Sequence, residues 1–395
     1  MDKNKETSDS KLLVSYKPLS NNQKIGVVTL NKPKALNALD LDMIGMFLAQ
    51  LETWRHDESV QAIFVDSACE KAFCAGGDIV SIYKAMDALG GDAINNAQVG
   101  EATVEFFAQE YRLDYCLHSY PKPVITWGHG IIMGGGLGVF AGGHIKIVTE
   151  TSRVAMPEIT IGLFPDVGAS YFLNKMPKGM GKFLGLTASS MNAKDCLTAN
   201  LADYFIPNHN KSNFLNELTK QSNLSKESIN AFCKNWCDNI NVKKETVDLV
   251  ANLQPFYECL GKFDELDSLS QIHAYLKDLS ESFPSNTFIK KAMSGFENGS
   301  TTTAHLVQEQ LKRGKHLSLA DCFKMELNMA YGCIVSGEFK EGIRALLIDK
   351  DNAPNWQYKN YEDVSINAIE RHFNHYNNNN HPLGHIELTF GEHYA

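Results

Sequence analysis

The chain has 395 residues, of which 44% are hydrophobic and 21% are charged, with 29 Gly and 12 Pro. This composition is ordinary for a folded globular protein and excludes collagen, a coiled coil and general disorder. The 37 Lys and Arg residues stand against 46 Asp and Glu residues, which gives a formal net charge of −9. That balance argues against nucleic acid or an anionic membrane as the main partner, although it leaves room for a local basic spot that binds one phosphate group.

The beginning of the chain and its cysteines predict the compartment. The first residues, MDKNKETSDSK, lack the apolar segment of a signal peptide and are too acidic and too poor in Arg for a mitochondrial transit peptide. No apolar run reaches the roughly 18–20 residues that a membrane span needs. The nine cysteines are scattered and have neither zinc-ribbon nor redox spacing. Reduced thiols without a secretion signal predict a cytoplasmic protein.

In the first half, short apolar strands alternate with helical patterns. The predicted strands are Ile25–Leu30, Val60–Val65, Pro123–Trp127 and His144–Val148, and the predicted helices are residues 37–54 and Glu101–Leu117. Alternation at this short range favours an α/β fold with layered sheets and crossover helices.

The second half has a different pattern of predicted secondary structure, since few strand-like runs occur after Pro207. Amphipathic helices are predicted at Asn213–Gln221, Lys226–Ile240, Lys244–Leu253 and Leu317–Val335. The sequence therefore predicts an α/β core over residues 12–207 and a mostly helical region over 208–376. The Asn-rich residues 377–395 are predicted to be a flexible tail.

Two glycine-rich segments offer backbone N–H groups to a ligand. Gly76 and Gly77 lie in KAFCAGGD (71–78), between a predicted strand and a predicted helix. Three consecutive glycines, Gly134–Gly136, open a helix whose free N–H groups suit an anion or a developing oxyanion. A plain tight turn explains the first segment equally well, and close packing of small residues explains the second. The triple glycine has the spacing of neither a dinucleotide fingerprint nor a P-loop.

Three carboxylates stand in apolar surroundings. Glu158 and Asp166 lie in MPEITIGLFPDVGAS (156–170), and Glu110 flanks an apolar stripe of the predicted helix Glu101–Leu117. A buried carboxylate is costly unless it has a partner or a role, so each is a candidate for a perturbed pKa. Each also has an ordinary interpretation: a surface turn for Glu158, a helix N-cap for Asp166 and a solvated rim for Glu110.

The histidines and serines predict less. His372 and His375 are three residues apart, but no carboxylate pattern completes a metal site, and a solvated tail explains them better. His129 precedes the triple glycine and fits a structural role better than that of a catalytic base. No GxSxG segment occurs, so a serine nucleophile elbow is not predicted.

Four segments in this order resemble the crotonase superfamily, also called enoyl-CoA hydratase/isomerase. They are NKPKALNAL (31–39), KAFCAGGDI (71–79), KPVITWGHGIIMGGGLG (122–138) and MPEITIGLFPDVGAS (156–170). Within the superfamily, FPDVG and the later segment FKEGIRALLIDKDNAPNW (339–356) are most similar to the 3-hydroxyisobutyryl-CoA hydrolase group. The resemblance covers roughly residues 12–375 and implies a spiral of ββα units, with a mostly helical C-terminal region that closes the acyl site.

The resemblance also implies roles for individual residues. The N–H groups of Gly77 and Gly135 are expected to form an oxyanion hole for a thioester carbonyl. Hydratases of this superfamily carry a glutamate at the position of Gly138, so that carboxylate is absent here. Glu158 is expected to act as nucleophile or general base, and Asp166 to bind and orient a substrate hydroxyl.

The same resemblance predicts how a substrate is bound. Glu110 is expected to tune or position the acyl pocket. The CoA moiety is expected to lie along two segments, which comprise Lys34, Ala35 and Leu36 in the first and Ala75, Gly76, Gly77, Asp78 and Ile79 in the second. No metal or redox cofactor is expected, since CoA is part of the substrate. A homo-oligomer is compatible with the family.

The implied activity is hydrolysis of 3-hydroxyisobutyryl-CoA, or of a related short 3-hydroxyacyl-CoA, in valine catabolism. Two alternatives are a hydratase or isomerase of the same fold and a non-catalytic acyl-CoA-binding protein. The absence of a carboxylate at Gly138 weighs against the first, because adding water to a double bond needs paired acid and base groups. The carboxylates Glu110, Glu158 and Asp166 weigh against the second, because a binding module has no need of them.

Overall fold

The structure is a computed structural model that describes residues 10–19, 22–88, 97–239, 251–377 and 379–387. Its nine strands are β1 (Leu12–Pro18), β2 (Lys24–Leu30), β3 (Val60–Ser67), β4 (Ala72–Cys74), β5 (Val124–Gly128), β6 (Ile131–Met133), β7 (Ile145–Val148), β8 (Arg153–Ala155) and β9 (Tyr204–Phe205). They form a six-stranded sheet in the order β1-β2-β3-β5-β7-β9 and a three-stranded sheet in the order β4-β6-β8. Only the β1–β2 pair among these described strands is antiparallel.

From β3 onward, consecutive strands alternate between the two sheets, so the chain advances as a spiral. Strand β3 lies in the larger sheet and β4 in the smaller; β5 and β6 repeat this pairing, as do β7 and β8. A helical segment follows each ββ pair. The predicted α/β fold with ββα units is therefore confirmed.

The helices of the first half lie beside the sheets, and those of the second half form most of residues 208–376. In chain order the helices are α1 (Leu41–His56), α2 (Ile79–Ala88), α3 (Ala97–His118), α4 (Gly135–Ala141), α5 (Ala169–Phe172), α6 (Met180–Thr187), α7 (Ala193–Thr198), α8 (Lys211–Leu218), α9 (Lys226–Asn239), α10 (Tyr257–Leu260), α11 (Leu269–Ser282), α12 (Thr287–Asn298), α13 (Thr301–Gly314), α14 (Leu319–Ser336), α15 (Glu338–Ile343) and α16 (Ile366–Glu370). The predicted helix Lys244–Leu253 falls largely outside the described residues.

Both faces of the larger sheet are buried, which explains why its strands are nearly continuous apolar runs. In β3, Ile63 and Val65 join one apolar cluster with α1 and α3, whereas Ala62 and Phe64 join a second cluster with α8 and α9. Helix α3 lies at the centre of the molecule, because it packs against both α1 and α14. This central helix carries Glu110.

The chain beyond residue 376 corrects the prediction of a flexible tail for the part that the structure describes. Leu383 and Ile386 are buried in the main apolar cluster. The guanidinium of Arg112 donates a hydrogen bond to the carbonyl oxygen of Pro382 (2.7 Å), and Lys324 forms an ion pair with Glu387 (2.8 Å). Residues 379–387 are therefore packed against α3 and α14, because two apolar side chains in this polar segment gain burial there.

Candidate active site

The two glycine-rich segments are brought into contact by the parallel pairing of β4 with β6. Gly76 has φ +122°, and a Cβ atom there would lie 3.4 Å from the carbonyl oxygen of Met133 and 3.9 Å from the nitrogen of Gly135. Glycine is required at this position because other residues rarely adopt such a φ. The turn after β4 therefore lies directly against the beginning of α4.

The N–H groups of Gly77 and Gly135 donate no hydrogen bond among the described residues. Gly135 begins α4, where the first N–H groups have no partner within the helix. The neighbouring N–H of Asp78, in contrast, donates to the carbonyl oxygen of Leu39 (2.7 Å). Two backbone donors are thus available at the junction of the predicted glycine segments.

The two segments predicted to bind CoA are adjacent in the structure. The N–H of Ala75 donates to the carbonyl oxygen of Leu36 (3.0 Å), while Lys34 and Ala35 are exposed. The Asp78 carboxylate forms an ion pair with Lys32 (3.0 Å). Ile79 then begins α2.

A buried asparagine holds the first of these segments against the sheets. Asn37 is fully buried with φ +58°, and its amide donates to Ser67 Oγ (2.7 Å) and to the carbonyl oxygen of Phe73 (2.9 Å). Asparagine tolerates this left-handed backbone better than most residues. These contacts fix the loop after β2 relative to both β3 and β4.

Glu110 lies between the two free backbone donors. It is 2% exposed, and its Oε1 lies 3.5 Å from the position that a Cβ atom would take on Gly77. A Cβ atom on Gly135 would lie 2.8 Å from Glu110 Cδ and closer still to Oε1. The interpretation of Glu110 as a solvated rim residue is therefore wrong, because its carboxylate faces the two glycine segments instead of solvent.

Glu158 reaches the same junction from the opposite side. It begins the 3-10 turn Glu158–Ile161, is 3% exposed, and places its Oε1 3.7 Å from the Cβ position of Gly134. Its Oε2 has no hydrogen-bond partner among the described residues. The surface-turn interpretation is therefore wrong, and the carboxylate lies beside the triple glycine.

Asp166 is the third buried carboxylate, with 3% exposure. The hydroxyl of Tyr111 donates a hydrogen bond to its Oδ2 (2.8 Å). Helix α5 begins at Ala169 with Gly168, and not Asp166, as its N-cap. The N-cap interpretation of Asp166 is therefore wrong, because the following turn separates its carboxylate from the helix.

Burial raises the pKa of all three carboxyl groups, and neighbouring carboxylates raise two of them further. Burial, together with the charges of Asp166 and Glu158, holds the pKa of Glu110 well above its usual range. Burial and the nearby Asp166 do the same to the pKa of Glu158. Burial raises the pKa of Asp166 to about 7, although the hydrogen bond from Tyr111 partly opposes this. No cation among the described residues contributes to these shifts. Perturbed carboxyl groups of this kind are typical of catalytic sites.

Asp114 is a fourth carboxylate, which the sequence analysis did not single out. It is fully buried, neither oxygen has a hydrogen-bond partner among the described residues, and burial with the nearby Glu110 raises its pKa well above the usual range. A Cβ atom on Gly138 would lie 2.6 Å from Asp114 Cγ. Asp114 thus fills the space beside Gly138. Its position one helical turn after Glu110 was a signal that could have identified it.

Other predicted features have structural roles in this part of the molecule. His129 Nε2 lies 2.9 Å from the carbonyl oxygen of Cys69, and burial lowers the pKa of this imidazole. The described residues contain no cluster of three or more His, Cys, Asp or Glu side chains that could hold a metal ion.

A cavity of about 330 Å³ adjoins the glycine turn. Its wall includes Asp78, Ile82 and Phe106. The Phe106 ring lies across Gly77, since a Cβ atom there would be 2.9 Å from Phe106 Cζ. One aromatic ring therefore lies between Gly77 and this cavity.

Comparison with known proteins places this geometry in a family. Residues 25–373 match the family described as enoyl-CoA hydratase/isomerase. The 3-hydroxyisobutyryl-CoA hydrolase of Gallus gallus, named as mitochondrial, is 34% identical over 365 residues, covering 92% of this chain and 88% of that protein. The human protein of the same name is 32% identical over 348 residues, covering 88% of this chain and 86% of its own.

Solved structures share the fold over nearly the whole chain. An enoyl-CoA hydratase from Rhodobacter sphaeroides superposes with a TM-score of 0.75 at 26% identity, covering 92% of this chain and 97% of its own. A carnitinyl-CoA dehydratase from Mycobacterium thermoresistibile gives a TM-score of 0.74 at 27% identity, with coverages of 91% and 96%.

The relatives also correct one prediction. The names of the chicken and human relatives place those proteins in mitochondria, which contradicts the cytoplasmic location predicted from the N-terminal residues and the cysteines. In the part of the chain that the structure describes, no helix has the length and apolarity to cross a membrane. The extent of the match, the identity to these relatives and the spiral of ββα units agree, so the chain belongs to the enoyl-CoA hydratase/isomerase family.

Proposed function

We propose that this protein hydrolyses 3-hydroxyisobutyryl-CoA, or a related short 3-hydroxyacyl-CoA, to the free acid and CoA, as a step of valine breakdown. The observation that carries the proposal is the position of Glu110 beside Gly77 and Gly135, whose N–H groups donate no hydrogen bond among the described residues, and of Glu158 beside the adjoining Gly134. The charge of Asp166 acts on both glutamates. Relatives named as 3-hydroxyisobutyryl-CoA hydrolases, which match over 86–88% of their own length, support the choice of substrate.

The N–H groups of Gly77 and Gly135 are the proposed oxyanion hole. Attack on a thioester carbonyl moves negative charge onto its oxygen, and donors already in place stabilise that charge without reorganisation. Removal of one such donor typically costs about 3 kcal/mol of transition-state stabilisation. The absence of a competing acceptor for either N–H in the described residues supports this assignment.

Glu158 is the proposed nucleophile or general base. As a nucleophile, its carboxylate adds to the carbonyl carbon, the C–S bond breaks and CoA leaves as a thiol after gaining a proton; water then opens the anhydride and restores the carboxylate. As a base, it removes a proton from the water that attacks the same carbon. Both routes consume one water molecule and require the ionised carboxylate of Glu158. Because the pKa of Glu158 is raised, this carboxylate is scarce at low pH but is a strong base once it has formed.

Asp166 is the proposed partner of the substrate's 3-hydroxyl group. Tyr111 already donates to Oδ2, which leaves Oδ1 as the acceptor for a second hydroxyl. A site built to bind a hydroxyl group discriminates strongly against analogues that lack it, because its buried polar atom is then left unpaired. This supports a hydroxylated acyl group over a plain one.

Glu110, the CoA segments and the second half complete the proposal. Glu110 positions the acyl group against the two N–H donors, and CoA lies along Lys34–Leu36 and Ala75–Ile79. The cavity beside Phe106 is the proposed approach for the chain that joins CoA to the thioester. Hydrolysis needs only water, so the proposal includes no metal or redox cofactor. It also includes a homo-oligomer, which light scattering in solution tests.

Hydration of an enoyl-CoA is the second candidate, because two solved structures with high TM-scores are named as a hydratase and a dehydratase. Asp114 brings a carboxylate next to Gly138, where other family members carry a glutamate. It extends from α3, however, and not from α4, so it is not the carboxylate that hydratases carry at that position. This difference in position favours hydrolysis over hydration.

One paired assay tests the choice. The purified protein is incubated with 3-hydroxyisobutyryl-CoA, 3-hydroxypropionyl-CoA, isobutyryl-CoA and crotonyl-CoA, and both free thiol and enone absorbance are followed. We expect thiol release that is fastest with the hydroxylated thioesters and no loss of enone absorbance. Loss of enone absorbance without thiol release would identify a hydratase instead.

A further inference from the structure

The turn that carries Asp166 has an unfavourable backbone. Val167 has φ +55° and is 2% exposed, and Gly168 follows with φ +88°. A β-branched residue in the left-handed region is a genuine outlier. Such a conformation persists only where the surroundings determine it, and it is commonly found at functional sites.

Helix α14 holds this turn through one buried carboxylate. Oε2 of Glu326 accepts a hydrogen bond from the N–H of Gly168 (2.8 Å), and Oε1 accepts one from the N–H of Ser170 (2.8 Å). Glu326 is fully buried. Phe323 on the same helix packs against the Gly168 backbone, because a Cβ atom there would lie 3.1 Å from its ring.

Helix α13 supplies a second anchor to the same turn. The amide nitrogen of Gln310, also fully buried, donates to the carbonyl oxygen of Pro165 (2.5 Å) and to Ser170 Oγ (2.9 Å). The turn Pro165–Ser170 is therefore anchored at both ends by side chains of the helical second half.

We infer that Glu326 is a positioning residue for Asp166, and that through the turn Pro165–Ser170 the helical second half sets the selectivity for a hydroxylated acyl group. The inference rests on the proposed function, since it concerns the hydroxyl that Asp166 binds there. Glu326 acts on the backbone two and four residues beyond Asp166 and does not touch the substrate. Its loss lets the strained turn relax and moves the Asp166 carboxylate away from the hydroxyl, because Gln310 is then the remaining one of the two anchors.

The test compares two thioesters that differ only in the hydroxyl group. For Glu326→Gln, kcat/KM is measured with 3-hydroxyisobutyryl-CoA and with isobutyryl-CoA; where isobutyryl-CoA is not turned over, its inhibition constant is used. The glutamine side chain keeps the shape of Glu326, but its NH₂ group replaces one of the two oxygens that accept from the N–H groups of Gly168 and Ser170. Two donors then face each other, and one hydrogen bond is lost. We expect the preference for the hydroxylated thioester to fall about 10-fold, as for loss of one aligned hydrogen bond.

Asp195→Asn is the matched control. Asp195 is also fully buried, and its two oxygens accept hydrogen bonds from the N–H groups of Asn192 (3.0 Å) and Leu253 (3.0 Å). It contacts none of the proposed site residues. We expect a lower thermal midpoint with an unchanged preference between the two thioesters.

Two further variants keep the inference testable if Glu326→Gln does not fold. Gln310→Met removes the second anchor at similar volume and should shift the preference in the same direction. In an Asp166→Asn background, either anchor variant should change the preference no further, because the group that it positions is already altered. Equal losses on both thioesters, or a shift with Asp195→Asn, would overturn the inference. If the wild-type protein releases no thiol from either thioester, the proposed function itself fails, and the inference with it.

Discussion

Replacement of Gly135 by alanine is the sharpest test of the assigned geometry. The new methyl carbon would lie 2.8 Å from Glu110 Cδ, closer still to Oε1, and 3.2 Å from Leu39 Cδ1. The Cδ distance is about 1 Å inside ordinary carbon–carbon contact. The backbone φ of Gly135 is not in the left-handed region, so alanine causes no backbone strain there. The effect of the substitution therefore arises from the collision with Glu110.

The size of the effect follows from what the collision displaces. Either Glu110 turns away from the acyl group, or the start of α4 moves by about 1 Å and carries the Gly135 N–H with it. A misplacement of that size typically costs about 100-fold in rate, and loss of one oxyanion donor costs about 100- to 1000-fold. We therefore expect kcat/KM for thiol release to fall at least about 100-fold.

Gly45→Ala is the matched control, because a Cβ atom there meets nothing within 4 Å. In the exposed interior of α1, this change should leave activity unaltered and raise stability by about 0.5–1 kcal/mol. Glu110→Ala and the double variant Glu110→Ala/Gly135→Ala separate the two causes. If Glu110 transmits the effect, the double variant is no worse than Glu110→Ala alone. Normal turnover by Gly135→Ala would refute the placement of Glu110 and Gly135 at the reacting carbonyl.

The remaining predictions concern the buried carboxylates. Glu158→Gln should abolish thiol release while calorimetry still detects binding of the CoA ester, because the amide keeps the shape and loses the charge; near-normal turnover contradicts the assignment. The reaction needs the ionised form of Glu158, whose pKa lies above the ordinary value of 4.5. We therefore expect kcat/KM to rise with pH through an apparent pKa above 4.5. A kcat/KM that does not change with pH above 4.5 argues against this role of Glu158. The pKa of Asp166 is 3.8 in the unfolded chain and about 7 in the folded protein. Between these two pH values the folded state therefore keeps a proton that the unfolded state has lost. The free energy of unfolding, measured by urea titration, should therefore decrease as the pH rises from 3.8 to about 7. An increase with pH in this range would show that other groups dominate. Gly138→Glu should lower the thermal midpoint without giving hydration of crotonyl-CoA, because Asp114 occupies the space that the new side chain needs; enone loss on a stable variant rules this out.

The sequence predicted the parts of the site whose chemistry is local. The turn at Gly76 and Gly77 and the beginning of α4 depend on glycines that are adjacent in the chain, and their residue types already indicate free N–H groups. The carboxylates Glu110, Glu158 and Asp166 were candidates because each lies among apolar residues. Whether each was buried could not be predicted, since a solvated rim, a surface turn and an N-cap use the same residues.

The residues that the sequence did not indicate act over long separations. Tyr111 lies 55 residues before its partner Asp166, and Glu326 lies 158 residues after Gly168. Tyr111 lies in the predicted helix Glu101–Leu117 among apolar residues, where a tyrosine is ordinary core. Glu326 occurs in the predicted helix Leu317–Val335 with no motif around it. Only the packing of α14 against α3 and the turn shows that these polar groups have partners.

The distance along the chain between Asp166 and Glu326 has a consequence for protein synthesis. A ribosome adds about 5–20 residues per second, so Glu326 is made roughly 10–30 s after Asp166. Within that interval the last described strand, β9, is also made, but the turn that presents Asp166 lacks both of its anchors until α13 and α14 follow. A nascent first half therefore has its glycine turns in place before it can select a hydroxylated acyl group, and it gains that selectivity only when the last helices dock.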